Sequence, residues 1–151
     1  MSEFEAVLND LLVDTFNYIL KFEERSIKSI ADTRITVAEA HLIEAISKLD
    51  GNVTVGRIAN ELKVSMPTAT ISVKKLESKG LVSKLACSED ARRAIIQLTK
   101  TGEKINRAHR LFHESMIRSI SRKFNEDEKK ILIRAMDTIN RFFREKIEAQ
   151  A

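Results

Sequence analysis

Between Phe4 and Phe22 the apolar residues Val7, Leu8, Leu11, Leu12, Phe16, Ile19 and Leu20 recur at helical spacing. That period predicts a long amphipathic helix over residues 4–30, interrupted at Ala31-Asp32-Thr33-Arg34. Thr36-Val37-Ala38-Glu39 reads as a capping box that opens a second helix to about Leu49. Asp50-Gly51-Asn52 is a turn, and Val53-Thr54 is expected as a short strand before Thr54 caps a third helix ending near Leu62. Lys63-Val64 is a tight turn. Ser65 then caps a fourth helix, which tolerates Pro67 in its first turn and stops at Gly80.

Beyond Gly80 the period changes. Residues 81–86 and 94–98 are short β-type runs around the charged segment Cys87-Ser88-Glu89-Asp90-Ala91-Arg92-Arg93, which predicts a hairpin. A long helix is expected over about 101–123. Asn125, with Glu128 three residues on, caps a last helix carrying Ile131, Leu132, Ala135, Met136, Ile139, Phe142, Phe143 and Ile147. The fold class is therefore mainly α: a winged helix-turn-helix with a small β-hairpin, flanked by long terminal helices.

A chain of 151 residues suits one ordinary domain. Its 43% hydrophobic and 32% charged residues give a globular balance, not a disordered one. No apolar run reaches the ~18–20 residues of a membrane span, so no membrane partner is expected. No basic start followed by an apolar stretch marks a secretory signal. The single cysteine, Cys87, excludes an internal disulfide and fits a reducing compartment. The cytoplasm is the expected location.

The net charge of +4 says little until it is placed along the chain. Residues 53–100 carry nine Lys and Arg against four Asp and Glu; the remainder carries 17 against 18. The positive charge thus sits in the middle third, as binding to a phosphate backbone requires. Within the fourth helix, Ala69, Ser72, Val73 and Leu76 take core spacing, and the opposite face presents Pro67, Thr68, Thr70, Ile71, Lys74 and Lys75. Hydroxyls for bases or phosphates, an apolar group for a thymine methyl and lysines for guanine or phosphate are what a major-groove helix offers. No acid interrupts the run from Met66 to Lys75. With Ser65 at its cap, this face is the expected reader of double-stranded DNA. Arg92 and Arg93 at the hairpin tip suit the narrow, negative minor groove, with Asp90 expected to aim Arg92 through a salt bridge.

Thr54-Val55-Gly56-Arg57-Ile58-Ala59-Asn60-Glu61-Leu62, Leu76-Glu77-Ser78-Lys79-Gly80-Leu81-Val82, Asp90-Ala91-Arg92-Arg93 and Leu98-Thr99-Lys100-Thr101-Gly102 together resemble the MarR-type winged-helix regulators. The resemblance implies one MarR-like domain over 1–151, with the DNA-binding part at 36–100 and dimerisation helices at 1–30 and 101–148. It implies a homodimer that sets two reading helices on a pseudo-palindromic operator, with Thr68, Thr70, Ile71 and Lys74 as base or phosphate contacts and Arg92 as the wing contact. The apolar first and last helices, too greasy to stay solvated, agree with a dimer.

Phe22-Glu23-Glu24, Glu39-Ala40-His41 and the run from His109 to Met116 are most similar to the branch that represses bacterial fatty-acid synthesis genes. That likeness implies a long acyl chain on acyl carrier protein as effector, with basic residues meeting the acidic carrier. The same residues admit a zinc reading: His109 and His113 stand at i, i+4 on one helix face, and His41 with Glu23 or Glu24 would complete a set resembling a zinc-sensing branch. Structural hydrogen bonding by the histidines is the third option. No cofactor is required by any motif. Cys87, at the start of the wing, is expected to be a small hydrophobe, not a redox sensor. No phosphate loop, HExxH or Gly-x-Ser-x-Gly motif points to an enzyme. A winged helix used only for protein contacts is the alternative from another class.

Overall fold

The computed structural model describes residues 1–30, 35–86 and 94–149. The order is α1 (Glu3–Ile30), α2 (Val37–Lys48), α3 (Val55–Leu62), α4 (Met66–Ser78), β1 (Val82–Ala86), β2 (Ala94–Leu98), α5 (Lys100–Ser121) and α6 (Glu126–Glu148). The expected interruption at Ala31–Arg34 and the hairpin tip, with Cys87, Asp90, Arg92 and Arg93, lie outside the described residues. The chain divides into two compact units, Met1–Leu111 and Phe112–Ala151.

Local chemistry sets the helix ends of the first unit. Thr36 accepts the Glu39 N–H at 3.2 Å, and the Glu39 carboxylate takes the Thr36 N–H at 2.8 Å, so two orphan donors at the start of α2 are satisfied reciprocally. Thr54 caps α3. Lys63 adopts the left-handed conformation, φ 54° and ψ 43°, and this one residue reverses the chain between α3 and α4. Gly80, at φ 68°, ends α4: its N–H reaches the Glu77 carbonyl at 2.9 Å, and the Leu81 N–H reaches that of Leu76 at 2.9 Å.

The hairpin pairs β1 and β2 antiparallel, from Val82 opposite Leu98 to Ala86 opposite Ala94. The strand expected at Val53-Thr54 does not form. Val53 instead accepts a single backbone bond, from the Ile96 N–H at 2.7 Å, before the chain turns into the Thr54 cap. Ile27, Ala40, Ile43, Ile46, Ile58, Val73, Leu76, Leu81, Ile96 and Ile105 join six elements in one core. In the second unit Asn125 caps α6, accepting the N–H groups of Asp127 and Glu128 at 3.0 Å each. No residue of α6 is buried.

Candidate nucleic-acid interface and the Glu23 cluster

Helix α4 is held by its inner face. Ala69, Val73 and Leu76 are fully buried, and the helix period turns Pro67, Thr68, Ile71, Lys74 and Lys75 outward, all exposed. Ile71 is an exposed apolar residue with 56% of its surface open. Ser65 and Thr68 share a hydroxyl–hydroxyl bond of 2.8 Å, and Ser65 accepts the Thr68 N–H, so these two shape the start of the helix. Thr70 is half-buried and donates its hydroxyl to the Met66 carbonyl at 2.8 Å, which leaves its oxygen as an acceptor. No acid stands in the first turn of α4, so its helix-dipole charge faces outward uncompensated.

Several cations of the basic middle third are spent inside the protein. Arg57 donates to the carbonyls of Asp50 and Asn52 at 2.6 and 3.0 Å. Lys84 pairs with Glu77 at 2.6 Å, fastening the hairpin to α4. Lys79 meets both oxygens of Glu39 at 2.7 Å, fastening the end of α4 to the start of α2. Burial pushes the Glu39 carboxyl up, but hydrogen bonds from Lys79 and Thr36 outweigh it and hold the group below the ordinary carboxylate value of 4.5. A depressed carboxylate stabilises the fold above its unfolded pKa, and that stability is lost as pH falls through the lower folded value. Glu39→Gln keeps an acceptor for the capping box and removes the ion pair. The variant is expected to lose less melting temperature than the parent between pH 6 and pH 3, read by circular dichroism; equal losses would remove Glu39 from the acid response.

The second feature joins α1, α2 and α5. Glu23, 2% exposed, places one oxygen, Oε1, 2.7 Å from Nε2 of both His41 and His109. His109 is 1% exposed, whereas the side chain of His41 is 47% exposed, so the cluster opens to solvent on one side. Glu44 stands 3.5 Å from the other nitrogen of His109. Burial raises the Glu23 carboxyl, but the hydrogen bonds and charge of the two imidazoles win and hold it below its ordinary value. The structure thus brings together three of the expected input residues, Glu23, His41 and His109. His113 follows His109 by four residues on α5 and shares its helix face.

Three packed helices, a two-stranded wing and a second helix of the helix-turn-helix that carries no acid from Met66 to Lys75 define a winged-helix DNA-binding regulator. Residues 35–93 match the model of the MarR family, and the chain is similar to MarR-type winged helix-turn-helix regulators. Its fold is similar to that of Streptococcus pneumoniae FabT in complex with DNA, with a TM-score of 0.87 and 29% identity, covering 93% of this chain and 98% of that one. It shares its fold with the Staphylococcus aureus MepR–DNA complex, with a TM-score of 0.73 and 19% identity over 88% of this chain and 95% of that one. In sequence it is similar to the transcriptional regulator ZitR of Lactococcus lactis, 24% identical over 117 residues, 76% of this chain and 79% of the relative. The matched segment and the fold are those of transcription regulators. Among the described residues, no helix is long and apolar enough to cross a membrane.

Proposed function

We propose that the chain is a homodimeric repressor that reads a pseudo-palindromic operator upstream of fatty-acid synthesis genes. The observation that carries the reading is the exposed α4 face of Pro67, Thr68, Ile71, Lys74 and Lys75, rigidly mounted on a buried opposite face. Ser65, Thr70 and the wing residues Arg92 and Arg93 complete the proposed contacts. The dimer is supported by apolar faces left open on the terminal helices. Phe4, Leu11 and Phe16 of α1 are 74%, 61% and 64% exposed, and Ile133, Met136 and Phe142 of α6 are 70%, 54% and 54% exposed. Apolar surface on this scale is a mark of an interface. The fatty-acid assignment is supported by the likeness to FabT along nearly the whole chain and by the stretches at 22–24, 39–41 and 109–116. Its effector is then an acyl chain delivered by acyl carrier protein.

A second reading, a zinc-responsive regulator, is favoured by the Glu23 cluster. Imidazole nitrogen and carboxylate oxygen are zinc donors, and Glu23, His41 and His109 already converge, so the residues fit the metal. Glu23, His41 and His109 would hold it. One experiment separates the two readings: operator affinity measured alone, with long-chain acyl carrier protein, and with zinc. The primary reading expects acyl carrier protein to change the affinity and zinc to leave it unchanged. A response to zinc alone would overturn the fatty-acid assignment in favour of the metal.

A further inference from the structure

Ile71 stands at the outermost point of α4. Ala69, Val73 and Leu76 form the fully buried seam of the helix. At about 3.6 residues per turn, Ile71 projects on the side opposite that seam. Its neighbours on the helix surface, three and four residues away, are Pro67, Thr68, Lys74 and Lys75, and all four are exposed. An isoleucine 56% open at the crest of a helix is apolar surface left in water, and covering it gains free energy.

The residues around Ile71 say what kind of partner covers it. Lys74 and Lys75 pair with no group among the described residues, and no acid lies between Met66 and Lys75. The fitting partner is therefore anionic around an apolar point. On the base edges of the DNA major groove the apolar group is the thymine C5-methyl, with phosphates on either side. The hydroxyls beside Ile71 are already engaged: Thr68 shares a bond with Ser65 at 2.8 Å, and Thr70 donates its proton to the Met66 carbonyl at 2.8 Å. Resting on the reading that α4 lies in the major groove, we propose that Ile71 is a specificity-determining residue, packing on the methyl group of a thymine at one fixed position of each half-site. Uracil in place of that thymine removes the methyl group and keeps the hydrogen-bonding edge and the adenine partner, so it isolates this one contact.

Selection of binding sites from a random-sequence duplex pool by the full chain, followed by fluorescence anisotropy on the enriched duplex and its uracil-substituted forms, tests this. Thymine is expected at the same position of both half-sites. Deoxyuridine there should weaken binding by about fourfold in one half-site and about fifteenfold in both, as loss of one buried methyl group from each implies. Ile71→Ala, at an exposed position, should keep the circular dichroism spectrum and bind the thymine and uracil duplexes equally; Ile71→Val should keep part of the difference. An enriched site with no fixed thymine would overturn the assignment, as would equal binding of thymine and uracil duplexes by the native chain or full discrimination in Ile71→Ala. A pool that yields no enriched sequence would overturn DNA reading by α4 and this assignment with it, so the two failures are told apart.

Discussion

Gly102→Ala is expected to lower the melting temperature by roughly 6–12 °C, the reverse of what the same change does in an open helix. In a solvated helix interior, alanine is about 1 kcal/mol more favourable than glycine. Gly102 is in the first turn of α5, buried, and a Cβ there would overlap the Leu81 carbonyl oxygen and lie 3.2 Å from its carbon. That carbonyl cannot retreat. Its oxygen accepts the Thr99 N–H at 3.0 Å, and the Leu81 N–H closes the end of α4 on Leu76 at 2.9 Å. The Thr99 hydroxyl bonds to the Gly80 carbonyl at 2.7 Å and accepts the Gly102 N–H at 3.1 Å, so the ends of α4 and α5 form one knot. Overpacking against fixed backbone costs about 3 kcal/mol, and about 2–4 °C is lost per kcal/mol in a chain of this size. Differential scanning calorimetry checks it; an unchanged or raised melting temperature would show that the knot can open cheaply.

Lys74→Ala should weaken operator binding by about 1–3 kcal/mol for each reading helix, and therefore by roughly twice that for a dimer engaging both half-sites. Lys74 is exposed in the middle of α4 and leaves the folded core untouched. Lys79→Ala is the informative comparison, because Lys79 is committed to Glu39. It should act on stability and reach DNA affinity only through the seating of α4. Fluorescence anisotropy on a labelled duplex measures both. Equal effects of the two substitutions would mean that Lys74 makes no contact of its own.

The architecture was legible because its punctuation is local. Thr36 with Glu39, Ser65 with Pro67, Gly80, and Asn125 with Glu128 each act within a few residues, and the structure sets helix ends at each. Val53-Thr54 misled for the same reason: two β-branched residues favour extended backbone, but a strand needs a partner ladder, and only one bond from Ile96 is on offer. The outward face of α4 was readable from the helix period. What the pattern could not show was which cations are spent inside. Arg57, Lys79 and Lys84 look like Lys74 in sequence, and their partners at Asp50, Glu39 and Glu77 emerge only when the chain folds back, across 7 residues for Arg57 and Lys84 and 40 for Lys79. Glu23, His41 and His109, three of the four residues expected at an effector or metal site, are nameable from residue type and a family likeness. Their meeting on one carboxylate oxygen depends on α1, α2 and α5 converging, 86 residues apart in the case of Glu23 and His109.

If the chain reads DNA sequence through α4, competition between two duplexes across a salt series separates sequence reading from plain attraction to phosphate. One duplex carries the proposed operator, a pseudo-palindromic segment from a fatty-acid synthesis promoter, and the other the same bases scrambled. The palindrome is expected to bind at least about 10³-fold more tightly, with both affinities falling steeply and linearly in log–log plots as counterions are released. Equal affinity for the two duplexes, with little dependence on salt, would contradict it and leave the winged helix as a surface for protein partners.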